Sequence, residues 1–270
     1  MNYSILMAVY EKEKPEFFEK SILSMLNQTV PSDDFVIVCD GPLNRCLDGV
    51  INKYQGKLNV IRNDKKIGLS KSLNIGLAAC KNEFVARMDS DDISVSTRCE
   101  QELKLMEADS SIKIVSGTIQ EFIGEPKGDG LLKKRVLPEC HEDLVKFSRK
   151  RNPFNHPAVM FRKSAVLAAG GYNDDYHRFE DYDLWIRMLR QGAIGYNIQD
   201  TIVYMRVSED FYLRRGGRKF ARDTLRFHKN MIKTGWSKGI NYLTYAVPHA
   251  AVCMMPNSMR KLVYKCLRKD

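Results

Sequence analysis

The sequence predicts an α/β fold, a mixed and mainly parallel sheet flanked by helices, followed by a basic helical C-terminal extension. Three observations predict it. Short β-type runs alternate with helical patterns through the first half of the chain, which implies βαβ crossovers and a largely parallel sheet. Residues 1–205 contain no internal repeat, low-complexity tract or Pro/Ser-rich linker that would divide them. The net charge of +10 sits at the end, where residues 206–270 hold 15 Lys/Arg against 4 Asp/Glu while residues 1–205 hold 28 against 29. The expected division is one domain at 1–205 and an extension at 206–270.

The first strand is the apolar run 4–9. The first helix, 17–26, repeats Phe17, Phe18, Ile22, Met25 and Leu26 at helical spacing, with Pro15 near its start where a missing N–H costs little. A strand over 35–39 precedes a helical segment at 46–54, a strand over 58–62 precedes a helix at 70–79, and a strand over 84–88 precedes a helix at 97–106. A strand over 112–116 follows. From 117 to 150 the pattern loosens, with Gly124, Pro126, Gly128 and Gly130 marking loops between runs at 119–123 and 131–137, an antiparallel excursion. Order returns with a strand over 157–161, a short helix at 164–169 stopped by Gly170-Gly171, and a helix at 182–190 ended by Gly192. In the extension, the apolar runs 242–247 and 250–255 are too broken by Pro248, His249 and Pro256 to span a bilayer. Beyond them Met259, Leu262, Val263, Cys266 and Leu267 share a helical face, with Arg260, Lys261, Lys265, Arg268 and Lys269 mostly elsewhere. That pattern suits a helix lying on an anionic membrane surface, and the same stripe suits docking on the core.

Composition narrows the classes. At 270 residues with 44% hydrophobic content the chain can bury a core without staples. Seven cysteines, scattered and never spaced as C-x-x-C, argue against a disulfide framework and a zinc site and point to a reducing cytosol. No basic leader precedes the first strand and no long uncharged apolar span exists, so neither a secretion signal nor a transmembrane helix is expected. The basic tail lacks interleaved stacking aromatics and any known nucleic-acid motif, so nucleic acid is not an expected partner.

The chemistry concentrates in Arg87-Met88-Asp89-Ser90-Asp91-Asp92, which follows the strand-like run 83–86. Carboxylates at the carboxyl end of a strand sit where open α/β sheets bind ligands, and hard oxygen donors suit Mg²⁺ or Mn²⁺ carrying a phosphorylated substrate. The run also reads as an ordinary strand-end turn, with Ser94 or Ser96 starting the next helix. A second acid group, Glu180-Asp181 with Asp183, lies at the mouth of a helix, where acids also serve as caps and meet the macrodipole. Paired with the first group, one acid site can hold a metal and a leaving diphosphate while the other takes a proton.

Several motifs in order resemble the family 2 glycosyltransferases with the GT-A fold, in the branch that makes bacterial capsule, exopolysaccharide and O-antigen. The run 4–10 is similar to the family's first strand, 36–41 to its second strand ending in Asp40, and 68–76 to its helix start. Asp89-Ser90-Asp91 is similar to the D-x-D motif and Glu180-Asp181 to the ED motif. The resemblance implies that Asp40 contacts the base, Asp89 the ribose or metal-bound water, and Asp91 the metal. Asp89 shares the metal site, Asp181 is the general base, and Glu180 orients the acceptor or the base. Ala8, Tyr10, Lys71, Asn74, Arg87, Ser90, His156 and Arg206 complete the nucleotide-sugar site, and Asp92 supports or caps. Arg206, Arg214 and Arg215 with Gly216-Gly217 resemble a mobile basic loop that closes over the diphosphate. Where the family usually carries an acid pair or Asp-Gly-Ser, Cys39 precedes Asp40 and Pro42 follows Gly41.

The implied activity is inverting, Mn²⁺- or Mg²⁺-dependent transfer from a nucleotide-diphosphate sugar, a UDP-sugar, to a lipid-linked glycan acceptor. The enzyme would be cytoplasmic and peripheral at the inner face of the membrane. A sugar-nucleotide pyrophosphorylase is the rival enzyme, but residues 10–13 after the first strand lack its Gly-rich phosphate loop. A non-enzymatic basic binding module for membrane or nucleic acid is the other rival.

Overall fold

The computed structural model describes residues 2–176, 178–207, 216–257 and 259–260. Nine strands form one sheet in the order β3-β2-β1-β4-β8-β6-β9-β5, with β7 paired to β6. The strands β1 (Tyr3–Val9), β2 (Asp34–Cys39), β3 (Asn59–Arg62) and β4 (Phe84–Asp89) run parallel. Their alternate side chains feed two cores, because successive residues of a strand point to opposite faces. Ile5, Met7, Ile37, Ala86 and Met88 pack under α1 (Pro15–Leu26), α2 (Arg45–Lys53) and α4 (Arg98–Ala108). Leu6, Val36, Val38 and Val85 face α3 (Leu69–Ala79) and its neighbours. The helix α3 lies so close that a Cβ on Gly76 would stand 2.4 Å from Leu6 Cδ1 and 2.7 Å from Val38 Cγ2.

The second half turns antiparallel. After the two-residue β5 (Ile93–Ser94), the long β6 (Ile112–Phe122) pairs with β7 (Leu131–Arg135), which makes the excursion expected over 119–137. The helices α5 (His141–Ser148), α6 (Lys163–Ala168) and α7 (Glu180–Arg190) and the strand β8 (Met160–Arg162) follow. The strand expected at 157–161 starts later because His156–Ala158 forms a 3-10 turn. Ser94 caps no helix; it lies in β5 opposite Val203, and Thr97 stands at the N-cap of α4 with its Oγ1 accepting from Gln101 Nε2 (3.0 Å) instead of capping a backbone N–H. The 13-residue β9 (Ile194–Arg206), parallel to β6, was not anticipated from the sequence, because exposed Gln199 and Asp200 break its alternation near a register shift.

One buried cation ties the two halves. Arg98 in α4 is fully buried, and its guanidinium donates to the carbonyls of Arg87 (2.9 Å), Pro157 (3.0 Å) and Val159 (3.1 Å) and to Glu102 (3.1 Å). Burial pushes the Glu102 carboxyl up to about 7 against the pull of Arg98.

The extension is helical. It comprises α8 (Arg218–Lys233), the single turn α9 (Gly239–Asn241), a π-helical turn Tyr242–Ala246 and α10 (Val247–Met254). Phe227 of α8 stacks on Phe179 (4.8 Å between ring centroids) and packs against Tyr182 (4.9 Å), while Ser237 Oγ donates to the Arg149 carbonyl (2.8 Å). Among the described residues no helix is long and apolar enough to cross a membrane. Arg214, Arg215 and most of the expected amphipathic stripe after Met259 lie outside the described residues.

Arg98→Met is expected to lower unfolding free energy by about 3–5 kcal/mol, because it leaves Glu102 and the carbonyls of Arg87 and Pro157 bare in the interior. Urea unfolding of the variant against the parent measures it.

Candidate active site

Strands β1, β2 and β4 end side by side, so the carboxyl edge of the sheet gathers residues from three separate stretches. Ala8 is in register with Asp89 on one side and Val38 on the other, and the Asp40 amide donates to the Val9 carbonyl at 2.8 Å. Asp40 Oδ1 accepts the backbone N–H groups of Ile67 (2.7 Å) and Gly68 (2.9 Å), which fixes the entry to α3 against this edge. Gly68 itself has φ +96, a conformation open to glycine. Tyr10 lies beneath Lys66, whose Nζ is 4.9 Å from the ring centroid.

The acid run leaves β4 in a turn held from both sides. Arg87, 2% exposed, pairs with Asp89, and Ser21 Oγ donates to the Asp89 carbonyl at 2.7 Å. Burial works against the Arg87 charge, but Asp89 outweighs it and holds the guanidinium above its ordinary pKa. Ser90 Oγ donates to Glu13 (2.8 Å). Asp92, fully buried, accepts the Arg206 backbone N–H at 2.7 Å, which fits the supporting role expected of it, and Arg206 Nε donates to the Asp91 carbonyl at 2.9 Å. The Arg206 guanidinium also lies 3.8 Å from the Phe17 ring centroid and 4.4 Å from that of Phe122. Arg206 is therefore the fixed last residue of β9 and not part of a mobile loop. Asp89 and Asp91 remain half-exposed at the cleft. Burial, then Asp89 and Glu13, push the Asp91 carboxyl up to about 7.

The opposite wall comes from α7 and the turn before β8. Asp181 accepts Asn152 Nδ2 at 2.6 Å and the Tyr182 N–H at 2.8 Å. Burial raises its pKa, and those two bonds oppose the rise. Burial and neighbouring Asp181 push Glu180 up to about 7. His156 Nε2 lies 3.0 Å from the Tyr172 hydroxyl, with Trp185 edge-on at 6.1 Å. Burial and the Arg87 charge drive its pKa well down, which favours the neutral imidazole. Asn74 donates to the Tyr172 carbonyl and accepts its N–H, both at 2.8 Å, and a Cβ on Gly171 would stand 2.6 Å from Asn74 Oδ1. Lys71 forms an exposed ion pair with Asp174 at 2.9 Å.

A cleft of about 260 Å³ joins the two walls, lined by Asp89, Asp91 and Asp92 on one side and by Asn152, His156 and Asp181 on the other, with Arg135 and Arg206 between. Of the residues predicted from sequence, the cleft brings together Asp89, Asp91, His156, Asp181 and Arg206. Ala8, Tyr10 and Asp40 lie along the adjoining strand edge, while Lys71 and Asn74 are engaged with the segment 172–174. Arg135, Asn152 and Glu13 were missed. Each sits in a polar stretch that does not single it out: Glu13 within Glu11-Lys12-Glu13-Lys14, Arg135 after Lys133-Lys134 and Asn152 after Arg149-Lys150-Arg151. Among the described residues no three His, Cys, Asp or Glu side chains converge as a complete metal cage. Two hard carboxylates facing one cleft, Asp89 and Asp91, nonetheless fit Mg²⁺ or Mn²⁺, ions that keep waters and take remaining ligands from substrate phosphates.

A mainly parallel sheet with a divided acid cleft at its carboxyl edge puts carboxylates where open α/β sheets bind their ligands. The model for Glycosyl transferase family 2 matches residues 4–168. The chain is 34% identical to the UDP-Gal:alpha-D-GlcNAc-diphosphoundecaprenol beta-1,3-galactosyltransferase of Escherichia coli, over 97% of this chain and 95% of that protein. It is 32% identical to the amylovoran biosynthesis glycosyltransferase AmsE of Erwinia amylovora, over 99% of each. Its fold matches that of the mannosyltransferase PcManGT from Pyrobaculum calidifontis, solved with GDP-Man and Mn²⁺, with a TM-score of 0.66 at 15% identity, covering 98% of this chain and 80% of that one. The chain belongs to glycosyl transferase family 2 and is a glycosyltransferase of the GT-A fold.

Asn152→Ala removes a hydrogen bond that favours charged Asp181, so the pKa of that carboxyl rises further. The acid-side fall of kcat/KM is expected to move to higher pH, read from a pH profile of sugar transfer.

Proposed function

We propose that this chain catalyses inverting, metal-dependent transfer of a sugar from a UDP-sugar to a lipid-linked glycan, at the cytoplasmic face of a bacterial membrane. The observation that carries the reading is the division of the cleft, with Asp89 and Asp91 on one wall and Asp181 on the other. The Escherichia coli relative supports the choice of donor and acceptor, since its name specifies UDP-Gal and a diphosphoundecaprenol-linked sugar. The AmsE relative supports a place in surface-polysaccharide synthesis.

In this reading the acceptor hydroxyl oxygen attacks the anomeric carbon as its proton passes to Asp181. The bond from that carbon to the diphosphate oxygen breaks, and its electron pair leaves with the nucleoside diphosphate. Attack from the face opposite the leaving group inverts the anomeric centre. Asp91, with Asp89, would hold a divalent ion, whose charge when bound offsets the negative charge growing on the diphosphate. The raised pKa of Asp181 makes its carboxylate a better proton acceptor than an ordinary aspartate, and Asn152 keeps it aimed. His156 and buried Arg87 border the sugar and diphosphate positions, and Ala8, Tyr10 and Asp40 border the nucleotide. Ser90, Asn74, Lys71 and Arg206 shape the site by fixing Glu13, Tyr172, Asp174 and the acid run. Residues 1–205, with Arg206 at the end of β9, carry the transfer, and the described helices of the extension, α8 to α10, face the acceptor's membrane.

Incubation with a panel of nucleotide sugars and Mn²⁺ is expected to release nucleoside diphosphate slowly without acceptor. Asp181→Asn should cut transfer by at least about 100-fold while donor affinity by calorimetry stays near that of the parent. Asp91→Asn should abolish the Mn²⁺-dependent part of donor binding. Full transfer by the Asp181 variant would remove the base assignment.

A further inference from the structure

Residues 239–259 contain no Asp, Glu, Lys or Arg, yet this stretch runs along the surface. Its inner side is fully used. Ala246, Ala250 and Cys253 are buried, and Phe220 and His228 of α8 meet His249 (6.1 Å) and Tyr245 (5.5 Å), an antiparallel pairing. The outer side carries Ile240, Leu243, Val247 and Met254, which are 60%, 63%, 41% and 61% exposed. Their spacing of three, four and seven places them along one helical stripe. With Met259 they supply five of the twelve large hydrophobic side chains exposed among the described residues, so the exposure is concentrated here.

We propose that this outer face of α9 and α10 is the surface by which the enzyme docks on an anionic lipid bilayer. Charge selects the occupant. The partner helix α8 exposes Arg218, Lys219, Arg222, Arg226, Lys229 and Lys233 against a single acid, Asp223, and exposed Lys238 stands at the foot of the stripe. A second copy of this chain would bring like charges together, whereas anionic headgroups receive them and the acyl region receives the stripe. The stripe is too short and broken to span, which leaves it in the plane of the interface. Phe227 seats the same helical layer on Phe179 and Tyr182, which flank Glu180 and Asp181. Docking would therefore set the height of the cleft above the bilayer. The purpose of that height rests on the lipid-linked acceptor proposed above; the surface itself does not.

Flotation of the full chain with phosphatidylethanolamine/phosphatidylglycerol vesicles, against pure phosphatidylcholine, tests this. The parent is expected to float with the anionic vesicles only. Leu243→Asp with Val247→Asp should lower the bound fraction by at least about tenfold. Leu167→Asp, an equally exposed site on α6, should float like the parent. Circular dichroism and metal-supported hydrolysis of the donor should be unchanged in each variant. A parent that fails to float, or a double variant that floats like it, overturns the proposal. So does a result in which only deletion of residues 261–270 abolishes flotation, or in which the stripe variants instead break a dimer seen by ultracentrifugation without lipid. If donor hydrolysis is absent while flotation behaves as expected, the transfer reading fails and this one stands.

Discussion

The Arg98 guanidinium is the contact on which the rest of the molecule depends. It sits where the parallel half of the sheet meets the antiparallel half, at a place where a continuous ladder cannot run. The strands β4 and β8 pair only over Phe84, Val85 and Ala86, and one further bond joins the Arg87 amide to the Val159 carbonyl. Beyond that point the chains diverge; the carbonyls of Arg87 and Pro157 would be stranded in the interior, and that of Val159 would keep only the Arg87 amide. Arg98 takes all three, with Glu102 as a local counter-charge. Burying a charge costs free energy, and here the cost is offset by several charge-assisted bonds that no apolar side chain can make. The divergence matters because it frees the end of β4, so that Asp89 and its neighbours turn into a cleft instead of continuing as sheet.

The acid run is then closed from the far side of the sheet. Arg206 reaches it as the last residue of β9, a strand over 100 positions later in the chain, and uses its backbone N–H on Asp92 and its Nε on the Asp91 carbonyl. Phe17 and Phe122 hold the guanidinium between them. These contacts engage Asp92 through Oδ1 and leave Asp91 and Asp89 at the surface of the cleft. The crowding of three carboxylates is tolerable because the fold spends one of them internally and sets Arg87 beside another.

Legibility followed the length over which a signal is written. The strands β1, β2 and β4 are apolar on both faces and read as such, while β9 was invisible because Gln199 and Asp200 interrupt it just where the ladder with β6 changes register. Acids in short runs announced Asp89, Asp91 and Asp181. Asn152 and Arg135 carried no signal, since each ends a run of basic neighbours and acquires a role only when a distant helix or strand arrives beside it. The motif residues Asn74, Ser90 and Arg206 drew notice as a group, but sequence could not separate groups that face the cleft from groups whose polar atoms are committed to the backbone or to Glu13.

The Asn74 clamp has a consequence for how this enzyme can be recombined. Asn74 grips position 172 solely through its main-chain N–H and carbonyl, and Gly171 makes room for the amide. The clamp itself reads only the main chain at 172, but the buried Tyr172 ring packs on His156 and Trp185, so the joint between the nucleotide-side helix and the wall that carries His156 and Asp181 is strict about both 171 and 172. Grafting the segment after residue 168 from one relative onto another can exchange acceptor-side surfaces as a module, provided the graft keeps a glycine and a tyrosine at that seam and the recipient keeps its asparagine.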